Sequence, residues 1–94
     1  MSKYKIAHIR EQGIDLIVIP LDAEFGKKSD SEQREFISSI QVSANLAGVA
    51  GTVVPVWRDG TSHRFVAPPT WHSFFKSFEW HLIMGSVNKE LTFG

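Results

Sequence analysis

The side chains in this sequence best suited to chemistry are its four histidines, His8, His63, His72 and His81. Imidazole titrates near neutral pH and is the commonest protein metal ligand. Spacing limits what these four can share. His72 and His81 stand nine positions apart in a stretch of helical periodicity, so one helix would send them to opposite faces, where they cannot hold one metal. His8 and His63 fall in separate hairpins, with no spacing that brings them together. The carboxylates Asp22 and Glu24 follow the most apolar stretch, in a loop of the kind that often carries function. Asp15 lies at the start of that stretch. A hydrolase built from His63 or His72 with Asp22 or Glu24 would need those groups within hydrogen-bond reach. Paired carboxylates acting as acid and base would need a cleft that separates their pKa values, and no motif marks one. Separate boundary histidines and ordinary loop polarity are the simpler account. The expectation is a protein with no catalytic residues, no metal and no other cofactor.

Other chemistries lack their residues. There is no cysteine, which removes disulfides, thiolate nucleophiles and cysteine-ligated zinc. No G-x-S-x-G elbow occurs. The glycines of Ala47-Gly48-Val49-Ala50-Gly51 follow a helix, whereas a phosphate loop precedes one. Lys plus Arg and Asp plus Glu both number 10. The net charge is therefore zero, and the basic field that a nucleic-acid backbone requires is missing. Lys27-Lys28 is the nearest thing to a basic stripe. No apolar run approaches the ~20 residues of a membrane span, and no apolar segment follows the first five residues. A cytoplasmic protein without nucleic-acid or membrane partners is expected.

The elements that must position these groups can be read from periodicity. With 94 residues and 43% hydrophobic content, residues 1–94 form a single domain. Residues 4–10 and 14–21 read as a hairpin closed by Glu11-Gln12-Gly13. The run Ile14-Asp15-Leu16-Ile17-Val18-Ile19 suits a central strand covered on both faces. Ser29 with Glu32, or Asp30 with Gln33, fits a capping box. A helix is predicted over 31–47, with Gln33, Phe36, Ile37, Ile40, Ala44 and Ala47 on its buried face and Gln41 opposite. Residues 52–58 and 61–67 flank Asp59-Gly60, a type I′ signal, as a second hairpin, pairing Arg58 with Thr61 and Val56 with His63. Pro55 makes its strand an edge or a bulge. Thr70 would cap a helix over 71–84, and residues 87–93 alternate as a last strand. The order β-β-α-β-β-α-β predicts an α+β fold in two layers, with two helices on one face of a mainly antiparallel sheet of about five strands.

The aromatic run is the most informative stretch. On a continuous helix, Trp71, Phe74, Phe75, Phe78 and Leu82 make the apolar stripe. Trp80 turns away from it, with Ile83 and Met84 beside it. Val42 and Leu46 lie off the main face of the first helix. Trp57 shares a sheet face with Arg64, open to solvent if the helices cover the other face. Large apolar side chains gathered off the core suggest an association surface.

The stretch Phe65-Val66-Ala67-Pro68-Pro69, then Trp71-His72 and Phe74-Phe75, with the tail Val87-Asn88-Lys89-Glu90-Leu91-Thr92, resembles small bacterial proteins encoded by integron gene cassettes. The resemblance spans the last third of the chain. It implies a mobile bacterial gene, a compact α+β fold and frequent homo-oligomerisation, and it carries over no catalytic residue. Three functions follow as expectations. First comes an interaction protein, a homo-oligomer (a dimer first) or adaptor, working through Trp80, Ile83, Met84, Val42, Leu46, Trp57 and Arg64. The second is a small-ligand binder with an aromatic-lined cleft between the sheet and residues 22–28. The third is the histidine–carboxylate hydrolase.

Overall fold

The computed structural model describes residues 2–93. Its strands are β1 (Ser2–Glu11), β2 (Ile14–Leu21), β3 (Thr52–Asp59), β4 (Ser62–Phe65) and β5 (Lys89–Phe93). Its helices are α1 (Asp30–Leu46), α2 (His72–Ser77) and α3 (Trp80–Gly85), with short 3₁₀ turns at Ala23–Lys27 and Pro69–Trp71. The five strands form one sheet in the order β4-β3-β2-β1-β5. The sheet is antiparallel except for the β2–β3 pair, which α1 connects. The α+β class and the mainly antiparallel sheet agree with the sequence pattern.

Turn chemistry sets the first hairpin. Gln12 and Gly13 both have positive φ, 51° and 76°, as a two-residue type I′ loop requires. Glu11 therefore stays in β1, opposite Ile14. Helix α1 begins in the Ser29–Glu32 capping box, with the Ser29 hydroxyl accepting from the Glu32 N–H. It ends in a Schellman motif. Gly48 has φ 75°, its N–H reaches the Asn45 carbonyl, and the Val49 N–H reaches that of Ala44.

The helices do not share one face. Alternation along the strands sends Ile6, Ile17, Ile19 and Val53 to one side, where Ile40 and Ala44 of α1 pack. Ala7, Leu16, Val18, Val54 and Val56 go to the other, where Phe75 and Ile83 pack. The result is three layers rather than two. The parallel connection through α1 and the antiparallel return through α2 and α3 leave the sheet on opposite sides. Strand β2, with Leu16 to Ile19 wholly buried, is central as expected.

The proline strand is not an edge. Strand β3 lies between β2 and β4, and Pro55 is buried. The Pro55 carbonyl accepts from the Val66 N–H, so its ring nitrogen points to the same side, toward β4. The missing donor falls where that short edge strand stops, which costs the parallel pair nothing. The register of this hairpin differs from the expected one by two residues. Asp59 pairs with Ser62 and Arg58 with His63, leaving Gly60-Thr61 as the loop. Gly60 has φ 64° and Thr61 lies outside the positive region, the sign pattern of a type II′ turn. A shift of two preserves which face each side chain takes.

The predicted helix over 71–84 is broken. A 3₁₀ turn runs to Trp71, α2 stops at Ser77, and Phe78 and Glu79 have ψ of 84° and 156° before α3 begins. Thr70 therefore caps nothing, and Gly85 lies inside α3. The kink rotates Trp80 onto the sheet core and buries Ile83 completely. Burying one isoleucine contributes about 1.5–3 kcal/mol, against a net of about 1 kcal/mol for each helical hydrogen bond forgone. Leu82 of the predicted stripe turns out to solvent instead, 47% exposed. Ala47, the residue just past α1, is exposed. Gln41 turns inward, donating to the Gly51 carbonyl and accepting from the Val53 N–H. It acts as a surrogate strand partner at the start of β3.

Candidate functional site

The segment between β2 and α1 positions everything that resembles a site. It leaves the carboxyl end of β2, beside the parallel strand β3, the place where ligands of parallel β–α–β units bind. Its 3₁₀ turn alternates in direction. Phe25 points inward and is buried, with its ring 5.3 Å from Phe36 and 5.1 Å from Trp57. The turn thus becomes a wall with a cleft on each side.

The first cleft, about 540 Å³, opens between the wall, the end of β2 and α1. Its apolar floor is Phe25, Phe36 and Tyr4, and the Tyr4 and Phe36 rings meet edge to face at 5.6 Å. Its rim carries Asp22, Glu24, Glu32 and Glu35 against one cation, Lys28. Two of these carboxylates are already engaged. Glu24 pairs with Lys27 at 3.3 Å, and Glu32 accepts from the Ser29 N–H and hydroxyl. Those bonds hold the Glu32 carboxyl below the ordinary glutamate value, the backbone N–H first, then the hydroxyl; burial opposes them, and Lys28 adds a lesser lowering. Among the described residues, Asp22 and Glu35 have no side-chain hydrogen bond or ion pair.

The second cleft, about 790 Å³, lies on the other side of the wall, over β3, β4 and α2. Lys27, Arg58, Arg64 and Lys76 line it with one carboxylate, Asp59. Arg64 stands directly opposite Trp57 on β4 and binds Asp59 through Nε at 2.6 Å.

Comparison of the chain with protein-family models, with curated proteins and with solved structures finds no match.

The histidines take structural positions. The Nε2 atoms of His8, His63 and His72 lie 2.7, 2.7 and 2.9 Å from the carbonyl oxygens of Ala50, Phe75 and Ala67. A carbonyl only accepts, so each Nε2 carries the proton and ties two segments together. His81 faces Glu79 at 3.4 Å on the surface. His63 and His72 line the second cleft, whereas Asp22 and Glu24 line the first. The wall stands between the members of the expected hydrolase pairing. No three His, Asp or Glu side chains converge as a metal site among the described residues.

The residues expected at an association surface are scattered. Trp57 is 6% exposed, covered by the 3₁₀ turn rather than open to solvent. Trp80 packs on the core and Ile83 is buried. Val42, Leu46 and Met84 are exposed, Leu46 to 85%. Sequence reasoning located the cleft beside residues 22–28 but missed Tyr4, Glu35 and Phe36 in it, and missed Arg58 and Lys76 in its neighbour. One signal was available: Phe25 is the only ring in the charged segment 22–28, and a large apolar side chain there must be buried by something.

Proposed function

We propose that the protein is a small-ligand binder, and that the first cleft takes a compact molecule with an aromatic or apolar body and a cationic group. The observation that carries this reading is an aromatic floor of Tyr4, Phe25 and Phe36 beneath a rim where Asp22 and Glu35 have no side-chain partner among the described residues. Ring faces and carboxylates favour the same charge, because a cation is attracted by both. No step of covalent chemistry is part of the proposal, which includes a cytoplasmic location for a chain with no cysteine and, among the described residues, no helix long and apolar enough to span a membrane. The test is a thermal-shift titration with 2-phenylethylammonium and its anionic counterpart phenylacetate. At ten times Kd the amine should stabilise by about 1.4 kcal/mol, on the order of 5–10 °C in a domain this size. Phe36→Ala should abolish the shift. Equal shifts from both compounds would end the assignment.

A second reading, homo-oligomerisation, rests on Val42 and Leu46. They lie one turn apart on the outer side of α1, exposed to 56% and 85%. The resemblance to integron-cassette proteins points the same way. Light scattering at high concentration should then give a dimer mass that Leu46→Ser returns to a monomer. A monomer mass for the parent protein removes this reading.

A further inference from the structure

The second cleft contains a feature that packing alone does not require. The Trp57 side chain is 94% buried (6% exposed), yet its indole N–H meets no hydrogen-bond acceptor among the described residues. Among the described residues no fully buried side-chain nitrogen or oxygen lacks a partner, so the indole nitrogen keeps some exposure, and its ring lines the second cleft. An indole N–H is a donor only, and burying the ring with this atom left at a cleft wall suits an incoming acceptor. Gly26 lies against the same atom. A Cβ added there would stand 2.5 Å from Trp57 Nε1, so only glycine lets the turn pack this closely on the indole, and any side chain at this position would crowd the donor.

The surrounding charges specify the acceptor. On the face that Trp57 takes, the cleft has Arg64 and also Lys27, which pairs with Glu24; Arg58 and Lys76 line its far side beyond the edge strand, and Asp59 is its one carboxylate. Asp59 engages Arg64 through Nε, which leaves the two Nη groups of the guanidinium to donate. Arg64 and Trp57 are cross-strand partners and share a face of the sheet. A guanidinium fork beside an indole N–H matches the several acceptor oxygens of a tetrahedral oxyanion.

We propose that this cleft binds the phosphate-type oxyanion of a small molecule, with Trp57 Nε1 and the Arg64 Nη groups as donors. The site is distinct from the cationic-ligand cleft with which it shares the Phe25 wall.

The experiment is an NMR titration of the indole N–H resonances with inorganic phosphate at low ionic strength, with chloride at matched ionic strength as control. The resonance missing from Trp57→Phe should move saturably with phosphate and not with chloride. Arg64→Gln should weaken the titration at least 5-fold. Gly26→Ala should abolish it while the far-UV spectrum stays unchanged. Because Gly26→Ala can disturb the fold, Arg64→Gln, at an exposed position, is the deciding variant. No saturable movement, an equal response to chloride, or an unweakened Arg64→Gln each overturns the proposal. A single-stranded oligonucleotide binding far tighter than phosphate would overturn the assignment to a small molecule.

Discussion

The two clefts share a wall and differ in almost everything else. The 3₁₀ turn Ala23–Lys27 gives Glu24 and Phe25 to one side and Gly26 and Lys27 to the other. On the first side, carboxylates ring an aromatic floor. On the second, lysines and arginines line a cleft that also contains Trp57. A chain with zero net charge therefore has a sorted surface, and total charge says little about local potential. Local sorting also explains why neither cleft resembles a catalytic centre. The histidines of the second cleft spend their Nε2 protons on backbone carbonyls, and the carboxylates that might have partnered them face the other way.

The sharpest way to break this comparison is to remove the wall. Phe25 touches both Phe36 and Trp57, so Phe25→Ala opens a cavity beneath both clefts. It should cost about 3–5 kcal/mol in chemical denaturation and weaken amine and phosphate binding together. Loss of one without the other would mean that the clefts are built independently.

Charge exchange should separate them. Glu35→Lys should weaken amine binding and leave phosphate binding intact, and Arg64→Glu should do the reverse. Each lost charge-assisted contact is worth about 1.5–3 kcal/mol, or roughly 10- to 100-fold in Kd. Parallel effects of both variants on both ligands, measured by calorimetry, would show one long-range field rather than two sites.

The smallest effect concerns the acidic rim alone. Ser29→Ala removes the hydroxyl that accepts from the Glu32 N–H and should cost about 1 kcal/mol. Glu32 also confers a pH dependence. Its carboxyl titrates lower in the folded protein than in the unfolded chain, so its stabilisation is complete above the ordinary glutamate value and is lost as pH falls through the lowered one. The stability gap between the parent protein and Glu32→Gln should narrow on acidification. A gap that stays constant would show that the capping carboxylate contributes nothing through its charge. Phosphate binding should not respond to Ser29→Ala, since the capping box faces the other cleft.

Local signals carried much of the fold. The position of the first hairpin, the Ser29–Glu32 box, the Gly48 cap and the apolar run of β2 are all settled by residues within a few positions of one another. They were legible because backbone geometry and capping are short-range effects. The type I′ signal at Asp59-Gly60 was wrong, the loop there being Gly60-Thr61. A cleft beside residues 22–28 was expected only as one of three functions, and the lone ring of Phe25, which builds it, was not used.

The sequence by itself determined the α+β class, the strand alternation that assigns each apolar side chain to a face, and the absence of cysteine chemistry. Tertiary structure decided which face each helix covers. It also decided that a continuous helix gives way to a kink so that Trp80 and Ile83 can pack. It decided that opposite charges collect on opposite sides of one short turn. Such outcomes depend on burial and on charges from β1, α1, β4 and α2 meeting in space. Those free energies arise between segments far apart in the chain, where periodicity has no reach.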